Sequence, residues 1–345
     1  MTSQFFRQQL MSSNLRVLKG LAAPDSESSH LPLALKVLIV GEALPFPLFL
    51  KVRREESPEI HFLPYLEAGE GVDASFLEPL ERLGLERGYF RAEDLETVIA
   101  YLNNHLLLTG NGEGKAMLSL CREHLGLTLR LALRQPHLGK HLNAAKKVLG
   151  QTLQVLERDD LSFRLLGEIL FSDYSLYTHS VNVSLLSMAM PVFLGKGRRE
   201  SLTLGLAGLF HDVGLTRVDA SILCKVEPLG PEDWADIREH PALGHRLLSS
   251  HPHFPVAALR LVLEHHENAD GSGYPQGLTL AKQHPLTRVL RLLDAYDALT
   301  SHRPYRPALR PFAALKVLQE QLGPRGATPY APQTLKDLIR FLAII

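Results

Sequence analysis

His211-Asp212-Val213-Gly214 decides how the rest of the chain is read. The tetrapeptide closes an apolar helical run from Leu202 to Phe210 and opens a loop. A histidine and an aspartate side by side, where an apolar helix stops, can both reach one metal centre. The imidazole offers a neutral nitrogen, and the carboxylate offers charge and two oxygens able to bridge two ions. Alone the dipeptide is weak, because His-Asp pairs also serve as ordinary surface or capping residues.

Its company strengthens it. Upstream lies His179 in Tyr177-Thr178-His179-Ser180-Val181-Asn182-Val183, and downstream His240 in Arg238-Glu239-His240-Pro241. His265-His266-Glu267 follows, then Asp270-Gly271-Ser272-Gly273-Tyr274-Pro275. Asp294 and Asp297 stand in Leu293-Asp294-Ala295-Tyr296-Asp297-Ala298-Leu299-Thr300-Ser301, and Arg303-Pro304-Tyr305-Arg306 comes next. In isolation His179 reads as a core histidine and His240 as the end of a turn. Two adjacent histidines closing an apolar helix are harder to dismiss, since burying them without partners is costly. Asp294 and Asp297 share a helix with Val289, Leu292, Leu293 and Tyr296. A carboxylate there needs a cation or hydrogen bonds to offset its desolvation.

The order and spacing of these motifs, from about Ser162 to the C-terminus, closely resemble the HD-GYP family, bacterial metal-dependent phosphodiesterases acting on cyclic di-GMP. The resemblance implies that His179, His211, Asp212, His240, His265, His266 and Asp294 bind two metal ions. Asp212 and His211 stand at the catalytic centre, with a hydroxide bridging the ions. Two ions about 4 Å apart acidify a water and clamp both oxygens of an in-line phosphoryl displacement. Nitrogen and carboxylate ligands without cysteine suit iron or manganese better than a structural zinc site. Gly273, Tyr274 and Pro275 match the loop that names the family and shape its substrate pocket. Asp297 is assigned with them to the substrate, and so are Arg303 and Arg306, whose guanidinium groups can fork onto a phosphate.

Two departures stand out. The family's His-Asp-x-Gly-Lys reads here with Leu215 in place of the lysine, removing a cation where negative charge builds up. Losing one such donor costs on the order of a hundredfold to a thousandfold in rate, and Arg217 or Lys225 are candidate substitutes. Members with a third metal carry a glutamate where this chain has Ser175, so two metals are expected. The resemblance therefore implies hydrolysis of cyclic di-GMP to linear pGpG, with onward cleavage to GMP left open. The alternative is a slow or inactive member that binds the nucleotide as a sensor, or a partner as a scaffold. A general HD-type phosphohydrolase is disfavoured by the Gly-Tyr-Pro loop and the Arg-Pro-Tyr-Arg segment.

Composition sets the remaining bounds. At 345 residues the chain has room for two domains with separate cores. Lys and Arg balance Asp and Glu at 37 each, so no broad basic face for a nucleic-acid polymer is implied. Cys121 and Cys224 are the only cysteines, which suits reduced thiols in a cytosol. The first twenty residues lack a secretory pattern, and the nearest approach to a membrane span, Leu185 to Gly195, is broken by Ser187 and Pro191. A cytoplasmic chain without membrane contact is expected.

Along the chain, residues 1–30 read as a polar tail. Leu35–Val40, Phe46–Val52, Glu59–Leu63 and Gly88–Phe90 read as strands, and Asp73–Leu83 and Ala92–Leu106 as helices. The spacing predicts further helices over Lys115–Arg134 and Leu142–Leu156. Beyond them it predicts helices over 161–171, 178–193, 200–210, 231–250, 255–266, 285–299, 309–322 and 332–343. The expected fold is mainly α: a small α+β N-terminal domain (1–110, regulatory or dimerising), a helical linker (111–160), and an all-α HD-type bundle (161–345). The linker helices could pair two copies as a homodimer or pack as the bundle's first layer, and signalling-protein partners fit a sensory N-terminal domain.

Overall fold

The computed structural model describes residues 15–18, 29–54, 59–108, 114–134, 138–158, 161–170, 175–223, 225, 227–302, 306–321 and 329–345. The chain forms two compact units, residues 1–127 and 128–345. Their division falls inside a helix, Gly114–Arg134, within the stretch expected as a linker.

The first unit is built on a five-stranded antiparallel sheet: β1 (Leu15–Val17), β2 (His30–Ala34), β3 (Leu48–Arg54), β4 (Ile60–Leu66) and β5 (Arg87–Arg91). β3 is its axis. It pairs with β4 along one edge, and with β1 (Val17 opposite Val52) and β5 (Phe49 opposite Tyr89) along the other. β2 pairs with β5. Period-2 alternation sends Leu31 and Leu33 of β2, and Leu48, Leu50 and Val52 of β3, into the core. Helix α1 (Ala74–Arg82) is capped by Asp73, which accepts a hydrogen bond from the Phe76 N–H at 3.2 Å. Helix α2 (Leu95–Leu108) buries Leu95, Val98, Leu102 and Leu106 at helical spacing.

Two expectations need correction here. The strand placed at Leu35–Val40 is a 3-10 turn at Leu35–Val37, and the strand itself lies earlier, at His30–Ala34. Pro32 lies within that strand, which suits an edge position, and among the described residues β2 pairs only with β5. Of the expected tail, Leu15–Val17 is a strand held by β3, while 1–14 and 19–28 lie outside the described residues.

Helix α3 (Gly114–Arg134) carries the division. In the second unit α4 (Leu138–Leu156) and α5 (Leu161–Ile169) precede α6 (Leu176–Phe193), which is buried on every side from Thr178 to Pro191. A helix enclosed all round is the centre of a bundle. α7 (Arg198–Phe210) lies against it almost backbone to backbone. A Cβ on Gly208 would stand 2.9 Å from Ser184 Cα, and Ser184 Oγ donates to the Gly205 carbonyl at 2.6 Å. Around this pair run α8 (Ala220–Leu223), α9 (Pro231–Arg238), α10 (His240–Ser249), α11 (Val256–Glu264), α12 (Thr287–Thr300), α13 (Pro311–Glu320) and α14 (Pro332–Leu342). The single helix expected over 231–250 is two, α9 and α10, broken at Glu239 with Pro241 in the first turn of α10. Among the described residues no helix is long and apolar enough to cross a membrane.

Candidate metal centre

Three of the histidines share one local device. His211 follows the last residue of α7, His265 follows the last residue of α11, and His240 stands two residues beyond α9. A helix end leaves carbonyls without intrahelical partners, and each ring uses one. Nδ1 of His211 lies 2.8 Å from the Gly208 carbonyl oxygen, Nδ1 of His240 2.7 Å from Ile237, and Nδ1 of His265 2.7 Å from Val262. A carbonyl only accepts, so each Nδ1 carries a proton and each ring turns its Nε2 inward. His179, on α6, is braced by a carboxylate instead: its Nδ1 lies 2.7 Å from Asp297 Oδ2.

These inward nitrogens surround two carboxylates. Asp212 divides its oxygens: Oδ1 is 3.2 Å from His240 Nε2 and 3.6 Å from His265 Nε2, while Oδ2 is 3.3 Å from His211 Nε2 and 3.9 Å from His179 Nε2. Asp294 divides likewise, with Oδ1 3.1 Å from His179 Nε2 and Oδ2 3.8 Å from His266 Nδ1. The ligand atoms form two adjoining groups, each spanning no more than 4.8 Å: Asp212, His240, His265 and His266, and His179, His211 and Asp294. All seven residues expected from the sequence as ligands thus face one another. Most are sealed from solvent, and His266, 21% exposed at its side chain, marks the open side.

The donor set fits metal ions. His240 Nε2 and His265 Nε2 are 3.0 Å apart while both Nδ1 atoms donate to carbonyls, so a cation, either a proton or a metal ion, fits between the two Nε2 atoms. Nε2 of His211 is fully buried with no hydrogen-bond partner, a costly state for a polar atom. Burial pushes the His265 imidazole down to about 4, and burial beside His265 holds His266 well below its ordinary value. Both are therefore neutral, ligand-ready rings. Burial pulls His211 down, but Asp212 and Asp294 outweigh it and raise it. Burial raises both carboxyls, yet the surrounding histidines hold Asp212 and Asp294 below the carboxylate range.

The glycine of His-Asp-x-Gly has a steric reason. A Cβ on Gly214 would overlap the His240 carbonyl oxygen, so only glycine lets the turn after Asp212 close on the segment carrying His240. Gly273 is as confined, its Cβ position being blocked by the His266 carbonyl and the Asn268 amide. The loop it belongs to brings the Tyr274 ring over His266, with centroids 4.8 Å apart.

Sequence reading missed what secures this loop. Glu267, 1% exposed, accepts from the Gln276 N–H at 2.6 Å and the Leu278 N–H at 2.7 Å. Glu264, also buried, accepts from the His284 N–H and from Thr287 Oγ1. The signal was present as two glutamates flanking the paired histidines in an otherwise apolar stretch.

Other residues singled out in the sequence have protein partners or places of their own. Asp297 lies behind His179, its oxygens engaged by His179 Nδ1, by Asn182 Nδ2 at 2.8 Å and by Ser301 Oγ at 3.1 Å. Arg306 spends its guanidinium on the Ala298, Leu299 and Pro307 carbonyls near the end of α12. Arg303 lies outside the described residues, as does Cys224. Ser175 is the N-cap of α6: its hydroxyl accepts from the Thr178 N–H at 3.1 Å and Thr178 Oγ1 accepts from the Ser175 N–H at 2.7 Å. Leu215 is half-buried in the 3-10 turn Val213–Arg217. Of its candidate substitutes, Lys225 is bound to Asp233 at 2.6 Å and Arg217 is exposed.

A model of the HD-domain family matches residues 164–325. Over 173 residues the chain is 33% identical to the cyclic di-GMP phosphodiesterase PA4108 of Pseudomonas aeruginosa, covering 50% of this chain and 41% of that protein. Over 169 residues it is 34% identical to the cyclic di-GMP phosphodiesterase response regulator RpfG of Xanthomonas campestris, covering 48% of this chain and 44% of the other. The chain thus spans less than half the length of these curated relatives. Bd1817, an HDG"Y"P protein from Bdellovibrio bacteriovorus, has the same fold, with a TM-score of 0.68 over 91% of this chain and 99% of that one at 19% identity. The HD motif, the paired histidines and the Gly-Tyr-Pro loop stand together within the matched residues 164–325, and these residues form an HD domain of the HD-GYP family.

Proposed function

We propose that this chain is a metal-dependent phosphodiesterase that opens cyclic di-GMP to linear pGpG, with two iron or manganese ions held by His179, His211, Asp212, His240, His265, His266 and Asp294. The observation carrying this reading is the set of inward imidazole nitrogens, tautomer-fixed by helix-end carbonyls, facing the divided oxygens of Asp212. The substrate class rests on what the relatives are named for. Two such ions supply positive charge to the phosphoryl oxygens and acidify the attacking water.

The chain's own residues do the rest. Nδ1–H bonds to backbone hold three rings in the ligating tautomer, and the Asp297 carboxylate does the same for His179 while raising its basicity. Asp212, grouped with His240 and His265, also approaches His211, and Asp294, grouped with His179, also approaches His266, which keeps the ligand set compact. Tyr274, its ring tilted against that of His266, walls the open side, where a nucleotide can approach. The sensor alternative retains one specific support, since Leu215 brings neither charge nor hydrogen bond to the turn after Asp212.

The test is direct. The 345-residue protein is loaded anaerobically with iron or manganese and given cyclic di-GMP, and pGpG is followed by chromatography beside Asp212→Ala. Turnover in the wild type and its loss, together with loss of metal, in Asp212→Ala is expected. Cyclic di-GMP bound but not cleaved by the loaded wild type would make the chain a sensor and overturn the enzyme reading.

A further inference from the structure

The turn after Asp212 presents Leu215, yet a cation stands on another side of the cluster. Arg291 lies three residues before Asp294 on α12, and its Nη1 is 3.8 Å from Asp294 Oδ2. Among the described residues no other lysine or arginine comes within 4.0 Å of an Asp212 or Asp294 oxygen. The separation exceeds that of a charge-assisted hydrogen bond, so the guanidinium faces the carboxylate without closing on it.

The side chain is fixed from behind. Its Nε donates to Asn268 Oδ1 at 3.2 Å, and its plane lies over the Tyr330 ring, 5.2 Å from the centroid. Asn268 is itself tied, giving its amide to Ser272 Oγ at 3.0 Å and receiving Gln283 Nε2 on its carbonyl at 2.7 Å. Arg291 is also 19% exposed, on the same side as His266 and Tyr274, and its charge is felt by both. Metal ions held by this ligand set would make the local potential positive, and a braced guanidinium beside them would raise it further. An anion is what gains from that, and a preorganised donor loses little on meeting it.

We propose that Arg291 is the phosphate contact of this site, supplying from α12 the cation that position 215 lacks. The proposal rests on the phosphodiesterase reading for its substrate, a cyclic dinucleotide, and on geometry alone for its anion. Arginine suits the role because its fork can take two phosphoryl oxygens while Nε stays on Asn268.

Two roles for Arg291 separate by charge. Arg291→Lys keeps the charge and loses the fork, whereas Arg291→Gln keeps a donor for Asn268 and loses the charge. Binding of inorganic phosphate and of cyclic di-GMP to the manganese-loaded 345-residue protein is measured by calorimetry, with metal content and melting curves alongside. Arg291→Gln should weaken phosphate binding roughly ten- to a hundredfold, as expected for a lost charged hydrogen bond, with metal content unchanged. Arg291→Lys should lose distinctly less. If Arg291→Gln binds phosphate like the wild type, or loses metal, or if the loaded wild type binds no phosphate, the proposal is overturned and Arg291 is a brace for Asn268. If phosphate binding depends on Arg291 while cyclic di-GMP is neither bound nor cut, the contact stands and the phosphodiesterase reading falls.

Discussion

Two buried clusters of ionisable groups, one in each unit, make opposite use of their charges. In residues 1–127 the Glu123 carboxylate, 4% exposed, is answered at every turn: Arg122 Nη2 lies 2.7 Å from Oε1, Arg87 Nη2 3.8 Å from it, and the Ala34 N–H 3.4 Å from Oε2. In residues 128–345 the histidine nitrogens face one another across 3.0 Å, and one is buried without any partner. A closed cluster holds a fold together, whereas one left open toward its own centre is shaped for a ligand. Burial does not distinguish them; in the first opposite charges meet, Arg122 and Arg87 on Glu123, whereas in the second like nitrogens face each other.

The largest effect that would sharpen this contrast is on stability. Burial raises the Glu123 carboxyl, but Arg87 and Arg122 outweigh it and hold it below its ordinary value. Removing one member of a buried ion pair costs about 3–5 kcal/mol, so Glu123→Gln should lose that much in denaturant unfolding at neutral pH and keep its metal. A depressed carboxyl stabilises fully above its unfolded pKa and loses that contribution as pH falls through the folded one. The gap between wild type and variant should therefore close on acidification. A gap independent of pH, or metal lost from Glu123→Gln, would break the contrast.

A smaller effect is expected behind the open cluster. Asp297→Asn removes the charge that braces His179, and metal affinity should fall about ten- to a hundredfold, read by competition with a chelator. Unaltered affinity would mean that Asp297 neither orients nor activates that ring. Smallest is the change at the start of α6. Ser175→Ala removes an N-cap and should cost about 1 kcal/mol of stability, while elemental analysis gives the same metal content as wild type. A drop in bound metal would make Ser175 part of the ligand set.

The residues that converge were picked out by the order and spacing of their motifs, which resemble the HD-GYP pattern; taken singly, His179 read as a core histidine and His240 as the end of a turn, and only the paired histidines closing an apolar helix stood out chemically. Which way a carboxylate turns was not legible. Asp294 and Asp297 lie three apart on one helix, but only packing against α6 decides that Asp294 faces the cluster and Asp297 the back of His179. The same holds for the arginines. Arg306 looked like a phosphate fork from its motif, but near the end of α12 the Ala298 and Leu299 carbonyls claim it. Arg291, in an ordinary helical stretch, has no motif to draw notice. The break at Glu239 was hidden because Pro241 suits the first turn of a helix as well as a break, and the sequence does not say which helix it begins.

Bracing ligand rings on helix-end carbonyls also joins the lifetime of the site to the fraying of the bundle. The last turn of a helix opens most readily, and here each such opening at α7 or α11 would release the carbonyl that holds a ring. Whatever grips the three Nε2 atoms together therefore acts as a clasp on separate helix ends. The residence time of the ligand and the closing of those ends become one kinetic quantity.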